Sequence, residues 1–128
     1  MKRQGLDPTK KVAYFEYDFG MDGGAVGTIA MRGDRLPDDA VITSGMIHVK
    51  EAVTSGGAPT VTLGVETAVD VLASTLKAAL ALNALLDTVP VGTAATAIRT
   101  TAAGKGITMT IGVDALTAGK FIVALEYL

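Results

Sequence analysis

Residues 12–19 read Val-Ala-Tyr-Phe-Glu-Tyr-Asp-Phe, and this stretch decides the fold class. Ala13, Phe15, Tyr17 and Phe19 fall on one face, and the residues between them fall on the other. Alternation with a period of two is typical of a half-buried β-strand. The glycine pair at 23–24 follows and supplies the positive φ angles of a turn. The folded part of the chain is therefore predicted to begin with a strand that ends in a tight turn.

After residues 12–19, the sequence predicts further short strands that are separated by Gly-rich turns. They fall at Gly27–Arg32, Val41–Val53, Thr60–Val65, Ala94–Thr101, Ile107–Val113 and Lys120–Tyr127. In residues 67–86, Val69, Leu72, Leu76 and Leu80 are spaced as on a helix, and Glu66, Thr67 and Asp70 fit a helix start, where carboxylates meet free backbone N–H groups. These features predict one short helical insertion. Most strands have no helix between them, so a parallel α/β sheet is excluded. The sequence predicts an all-β fold, an antiparallel β-sandwich or jelly-roll-like domain.

Two further patterns bear on the topology. The three Tyr and three Phe residues all lie in or beside the first and last strands, which predicts that these strands are neighbours in one sheet. Thr60–Glu66 and Thr108–Asp114 also resemble each other, in that both alternate and end in Gly, Val and a carboxylate. They are either equivalent strands of a pseudo-symmetric sandwich or a coincidence of β-propensity.

Composition narrows the function classes. The chain has 128 residues, of which 49% are apolar and 19% charged, so it can bury a sizeable core. We expect a single domain at residues 12–128. A net charge of −2 disfavours nucleic-acid binding. The chain has no cysteine and one histidine, so we expect no metal site and no cofactor.

The longest apolar stretch, Ala78–Leu86, is too short for a membrane span of roughly 20 residues, and the polar N-terminus is not expected to be a signal peptide.

The first eleven residues are unusually basic. They hold four of the eleven Lys and Arg residues of the chain, namely Lys2, Arg3, Lys10 and Lys11. We predict that residues 1–11 form a flexible basic arm. The arm is either simply solvated or docks on an acidic partner surface and becomes ordered there.

The sequence offers no constellation for catalysis. His48 lies in the middle of a predicted strand, and no nucleophile-elbow pattern surrounds Ser44, Ser55 or Ser74. The adjacent carboxylates Asp38 and Asp39 point to different sides of an extended chain, so they do not form an acid–base pair. We therefore predict that the protein has no catalytic residues and is not an enzyme.

Several strings, taken together and in order, resemble small virion proteins of tailed bacteriophages. They are Ala13-x-Phe15-x-Tyr17-Asp18-Phe19, Asp22–Ile29, Leu36–Ile42, Thr54–Ala58, Val89–Ile98, Ala115–Phe121 and the terminal Glu126-Tyr127. The resemblance covers nearly all of residues 12–127 but not the arm. It implies a capsid decoration (cement) protein or a head-fibre component, with a structural role and no catalytic residues.

From this resemblance we expect a homotrimer that is made in the host cytoplasm and binds the major capsid protein between capsomers, on the outer surface of the virion. Lys2, Arg3, Lys10 and Lys11 are the candidate capsid-binding residues. Whether residues 67–86 pack within or between protomers stays open. One alternative is a fibre or spike module that binds a host receptor or glycan through loops Arg32–Asp39 and Thr54–Pro59. Glycan sites usually expose aromatic side chains, whereas the aromatic residues of this chain are expected to pack in the terminal strands, which counts against this alternative. Another is a virion-associated hydrolase that uses His48.

Overall fold

The computed structural model describes residues 10–128, which form ten strands and two short helical turns. The strands are β1 (Lys11–Asp18), β2 (Gly27–Ala30), β3 (Arg32–Gly33), β4 (Val41–Thr54), β5 (Thr60–Gly64), β6 (Leu72–Leu76), β7 (Leu85–Val91), β8 (Ile98–Arg99), β9 (Thr108–Gly112) and β10 (Ala118–Tyr127). The helical turns are α1 (Phe19–Asp22) and a 3₁₀ turn at Lys77–Ala79. In this part of the chain, no helix is long and apolar enough to cross a lipid bilayer.

The strands form two antiparallel sheets. The six-stranded sheet has the order β3-β1-β10-β4-β7, with β8 also paired to β4, and the four-stranded sheet has the order β2-β9-β5-β6. Every strand pair is antiparallel. The predicted all-β antiparallel sandwich is therefore confirmed. β1 begins at Lys11, one residue before the domain boundary expected from the sequence.

The first and last strands pair along the whole of β1, as the placement of the aromatic residues predicts. Lys11 lies opposite Tyr127, and Asp18 lies opposite Lys120. Tyr17 lies opposite Phe121 with the ring centroids 5.3 Å apart, and both side chains are almost fully buried. Such tilted aromatic pairs stabilise a core beyond the area that they bury.

The inner faces of the two sheets make one apolar core. β1, β4 and β10 contribute from the six-stranded sheet, and β5 and β9 contribute from the four-stranded sheet. The buried side chains of these strands include Phe15, Tyr17, Ile47, Val49, Val61, Leu63, Met109, Ile111, Phe121 and Val123. The period of two read from the sequence thus selects the buried side of each strand.

The two similar segments of the sequence are the neighbouring strands β5 and β9. Thr62 lies opposite Thr110, with Val61 opposite Ile111 and Leu63 opposite Met109. The two strands are antiparallel, so the similarity corresponds to a local two-fold relation about the Thr62–Thr110 pair. Equivalent halves of a sandwich are not needed to explain it.

The helical insertion predicted for residues 67–86 is wrong in its local structure. The stretch contains β6, the single 3₁₀ turn and the start of β7. Asp70, taken as part of a helix start, instead accepts hydrogen bonds from the backbone N–H groups of Val65, Glu66 and Thr67 at 2.7, 2.9 and 3.0 Å. Those three bonds fold the chain back, so that β6 pairs with β5.

The second difference is in the segment after β6. The strand predicted at Ala94–Thr101 is reduced to the two residues of β8, whereas β7 was not predicted as a strand. Pro90 lies in β7, where proline is tolerated because this strand is at the edge of the six-stranded sheet. Val89 N–H donates to Val71 C=O at 2.8 Å, which ties this edge to the chain entering β6.

A polar corner fixes the end of β1 to α1 and β3. The Tyr17 hydroxyl donates to Gly23 C=O at 2.6 Å, and Asp18 N–H donates to the Asp22 carboxylate at 2.9 Å. Arg32, in β3, donates to both oxygens of the same carboxylate at 2.9 and 3.1 Å. Burial, with the nearby charges of Asp22 and Asp18, raises the pKa of Tyr17 to about 12.

The Asp22 carboxyl is held ionised at this corner. Burial on its own would raise its pKa, but the hydrogen bonds from Arg32 and from Asp18 N–H outweigh that effect. The net result is a pKa below the usual value. Bidentate hydrogen bonding of this kind is the geometry in which Arg binds a carboxylate most strongly.

Tyr17→Phe is expected to lower the free energy of unfolding at pH 7 by about 0.5–1.5 kcal/mol, because Gly23 C=O loses its donor. The wild type should also lose stability as pH rises from 10.0 to about 12, since the folded state keeps the phenol protonated after the unfolded state has ionised. Urea unfolding across this range measures both effects. An identical alkaline slope in wild type and variant would contradict the assignment.

Asp22→Asn is expected to lower the free energy of unfolding at neutral pH by about 1–3 kcal/mol. The wild-type contribution is present above the ordinary carboxyl pKa and is lost as pH falls through the depressed folded pKa. The variant should therefore lose less stability than the wild type between pH 7 and pH 3. Asp87→Asn, at an exposed β7 carboxylate with no ion pair to a described residue, is the matched control and should leave the free energy of unfolding at neutral pH close to that of the wild type.

Candidate functional site

The outer face of the six-stranded sheet is the candidate site, because it exposes an apolar and aromatic surface. The side chains opposite the core alternate out of β1, β10, β4 and β7. Tyr14 lies beside Ala124, which lies beside Met46. Val12 and Leu85 extend this surface along the two edges of the sheet. We call this surface the Tyr14 face and define it by Val12, Tyr14, Met46, Leu85 and Ala124; the first four are 41%, 57%, 50% and 64% exposed.

Tyr14 lies between two shallow depressions, and both of its backbone polar groups are hydrogen-bonded to Asp34. Its N–H donates to Asp34 Oδ2 at 2.9 Å, and its C=O accepts from Asp34 N–H at 3.0 Å. One depression, of about 370 Å³, is lined by Tyr14, Glu16, Arg32, Asp34 and Ile122. The other, of about 330 Å³, is lined by Val12, Tyr14, Ser44, Met46 and Ala124 among others. A fixed, exposed aromatic between two hollows is the kind of anchor that dominates binding surfaces.

The charges on the β1 and β10 side of the Tyr14 face are paired with one another. The ion pairs are Lys10–Glu126 at 3.9 Å, Arg32–Asp22 at 2.9 Å, Arg32–Glu16 at 3.5 Å, Lys120–Glu16 at 3.7 Å and Lys120–Asp18 at 4.0 Å. Glu126 also accepts a hydrogen bond from the Ser44 hydroxyl at 2.7 Å. On the β7 side, Asp87 lies opposite Met46 and is exposed, with no ion pair to a described residue.

The other outer face of the sandwich is different in character. β2, β5, β6 and β9 contain no charged residue. Thr28, Thr110 and Thr62 lie side by side across three strands of this sheet. The strands of this surface are rich in hydroxyl groups and contain no aromatic residue, and Glu66, in the connection after β5, lines a depression beside Thr28 and Thr110.

The residues considered for catalysis are scattered. His48 is half-buried in β4 between Ile122 and Leu85. Ser44 bonds Glu126, and the Ser55 hydroxyl donates to Ala115 C=O at 2.6 Å. Within residues 10–128, no three His, Cys, Asp or Glu side chains are grouped so that they could hold a metal ion.

The four candidate capsid-binding residues are only partly within the structure. Lys2 and Arg3 lie outside the described residues. Lys11 is the first residue of β1, and Lys10 reaches Glu126 at the edge of the Tyr14 face. The end of the basic arm that leads into β1 therefore adjoins the Tyr14 face, and the two form one continuous surface.

Sequence comparisons with protein-family models and with curated proteins give no match. Solved structures do match. A chain of the cyanophage Pam1 capsid asymmetric unit superposes with a TM-score of 0.68 and 16% identity, covering 99% of this chain and 91% of that chain. A chain of the acidic stable capsid of Helicobacter pylori bacteriophage KHP30 gives 0.65 and 14%, covering 95% and 89%. A chain of the Ralstonia phage GP4 capsid gives 0.63 and 16%, covering 99% and 90%.

These superpositions include nearly the whole of each chain, so the likeness is one of complete architecture and not of a shared β-hairpin. Identities of 14–16% establish the fold alone. This chain has the fold of chains found in three phage capsids.

Proposed function

We propose that this protein is a structural component of a tailed-phage virion, and specifically a trimeric capsid decoration (cement) protein. In this role it is made in the host cytoplasm, binds the major capsid protein between capsomers, and stays on the outer surface of the head. The observation that carries the proposal is the near-complete superposition on chains of three phage capsids. The proposed role requires no catalytic residue, cofactor, metal, membrane or nucleic acid.

Chain size favours decoration within that class. Between 89% and 91% of each matched capsid chain is covered by this small sandwich. Each matched chain is thus little more than the same domain, which is the size suited to an added component of a head.

The Tyr14 face gives this role a physical basis. Burying exposed apolar side chains drives association, and the Tyr14 side chain has few rotatable bonds to immobilise on binding. The ion pairs on the β1 and β10 side of the face cost less to dehydrate than unpaired charges would. The basic arm, proposed for residues 1–11, adds pairs between Lys2, Arg3, Lys10 and Lys11 and shell carboxylates. Each exposed pair is worth only about 0.2–1 kcal/mol, but three arms on one trimer act together.

One observation favours the alternative of a receptor- or glycan-binding fibre module. Tyr14 is 57% exposed, although the sequence suggested that all aromatic residues were used in packing. With Asp34 and Ser44 on either side, its ring could stack on a sugar while the polar groups bond hydroxyls. Binding of host-surface glycans that Tyr14→Ala abolishes, without binding to heads, would favour the alternative.

The decoration proposal predicts binding to heads of the phage that encodes this chain, prepared without it. The purified protein should sediment with these heads, appear between capsomers by electron microscopy, and raise the temperature at which the heads release DNA. Light scattering of the free protein should give three protomer masses. Heads that bind no protein at saturating concentration would contradict the proposal.

The arm proposal predicts that Lys2→Ala/Arg3→Ala/Lys10→Ala weakens head binding and reduces its salt dependence, because three cations per protomer are removed. Thermal stability should stay close to that of the wild type, since Lys10 makes only a long, half-exposed ion pair of 3.9 Å. Arg35→Ala/Arg99→Ala/Lys105→Ala removes as many cations away from the Tyr14 face, where Arg99 and Lys105 make only surface ion pairs, and serves as the control. Equal losses in the two triple variants would show a general charge effect and not a role of the arm.

A further inference from the structure

The methionines of this protein fall into two groups by exposure. Met31 and Met109 are 1% and 0% exposed and belong to the core, whereas Met21 and Met46 are 69% and 50% exposed. Met1 lies outside the described residues. A thioether is oxidised where an oxidant reaches its sulfur, and the sulfoxide that forms is polar and chiral. Within residues 10–128, two methionines are therefore open to oxidation and two are protected.

Met46 is the exposed methionine that belongs to the Tyr14 face. It extends from β4 into the middle of this face, with Ala124 of β10 on one side and Asp87 of β7 on the other. It also lines the depression of about 330 Å³ beside Tyr14. Met21 belongs to α1 and lines neither of the two depressions beside Tyr14. A small oxidant that enters the depression thus reaches Met46 in the folded protein.

Small residues around Met46 leave its side chain uncovered. Ser44, Gly45 and Ala124 line the same depression. A Cβ at Gly45 would lie only 2.7 Å from Leu125 Cδ2 and 2.8 Å from the Ala124 carbonyl oxygen, so this position excludes a larger residue. The pairing of β4 with β7 is also irregular between Ser44 and Met46, and such irregularities re-aim side chains. The exposure of Met46 is therefore built into the packing of β4.

We propose that Met46 is an oxidation site, and that its oxidation by a peroxide weakens binding through the Tyr14 face. The regulation rests on the proposed function, which supplies the partner. A lone pair of the thioether sulfur attacks one peroxide oxygen, so that the S–O bond forms as the O–O bond breaks. The sulfur gives up two electrons. With hydrogen peroxide, the other oxygen leaves with both protons as water.

The sulfoxide oxygen is a hydrogen-bond acceptor that lacks a donor among the neighbouring carboxylates and serine. The Ser44 hydroxyl already donates to Glu126 at 2.7 Å, and the carboxylates of Glu126 and Asp87 only accept. These groups leave the sulfoxide oxygen to water, which must be removed when a partner covers the face. Removing water from a polar group without replacing its hydrogen bond weakens binding by roughly 5–150-fold.

The first test treats the free full-length protein with hydrogen peroxide and follows each methionine by peptide mass spectrometry. Met46 should be converted to the sulfoxide while Met31 and Met109 stay reduced, and circular dichroism should stay unchanged. Met46 that stays reduced for as long as Met109 overturns the inference.

The second test compares binding to phage heads before and after peroxide treatment. The wild type should bind roughly 5–150-fold more weakly after treatment, and reduction by methionine sulfoxide reductases of both stereospecificities should restore binding. Met21→Leu is the matched control and should show the same loss. Met46→Leu, whatever its starting affinity, should bind alike before and after treatment. An equal loss in Met46→Leu and the wild type overturns the inference.

A third measurement needs no partner, because retention on a phenyl column reports the apolar character of the surface. In Met21→Leu, peroxide should still shorten retention, and it should do so more than in Met21→Leu/Met46→Leu. Met1 is common to both proteins, so the difference belongs to Met46. Equal shifts in the two proteins overturn the inference. Untreated wild type that binds no heads overturns the decoration role, and the column and the mass spectra then decide on Met46 alone.

Discussion

The pairing of β1 with β10 joins residues that are more than a hundred positions apart, and the rest of the sandwich depends on it. This pairing sets Tyr17 on Phe121 in the core and, through alternation, sets Tyr14 on the outside. It also brings the start of the described chain to the edge of the outer face. Because so distant a contact closes late and at a large entropic cost, folding is expected to be slow for a domain of this size.

The polar corner of Tyr17, Asp22 and Arg32 links that core pair to the surface. It anchors the short strand β3, and the Asp34 that follows β3 fixes both backbone groups of Tyr14. A buried phenol, a carboxylate and an arginine thus help to fix the backbone from which the exposed Tyr14 ring projects. The position of this residue on the outer face depends on polar contacts made elsewhere.

The strands β1, β5, β9 and β10 could be predicted from the sequence. Each has one buried and one outward side, so its apolar residues alternate with a period of two. Sequence reasoning failed at Asp70, because a carboxylate that closes a loop and one that caps a helix have the same local sequence context. It also counted Tyr14 among the packing aromatics, although the alternation that buries Phe15 and Tyr17 already places Tyr14 on the opposite side. The exposed apolar side chains of Met21, Leu76 and Val113 could not be grouped from the sequence, because they come to one end of the sandwich only through pairings between distant strands.

The four-stranded sheet has a consequence for the medium around the protein. Its strands carry threonines but no charge, and the ionised groups nearest to them, such as Glu66, lie in the connections around the sheet. Dissolved ions screen charges over about 8–10 Å at ordinary ionic strength, so salt acts on this surface only through those surrounding groups. Binding at the centre of this sheet should therefore depend less on salt than binding through the basic arm.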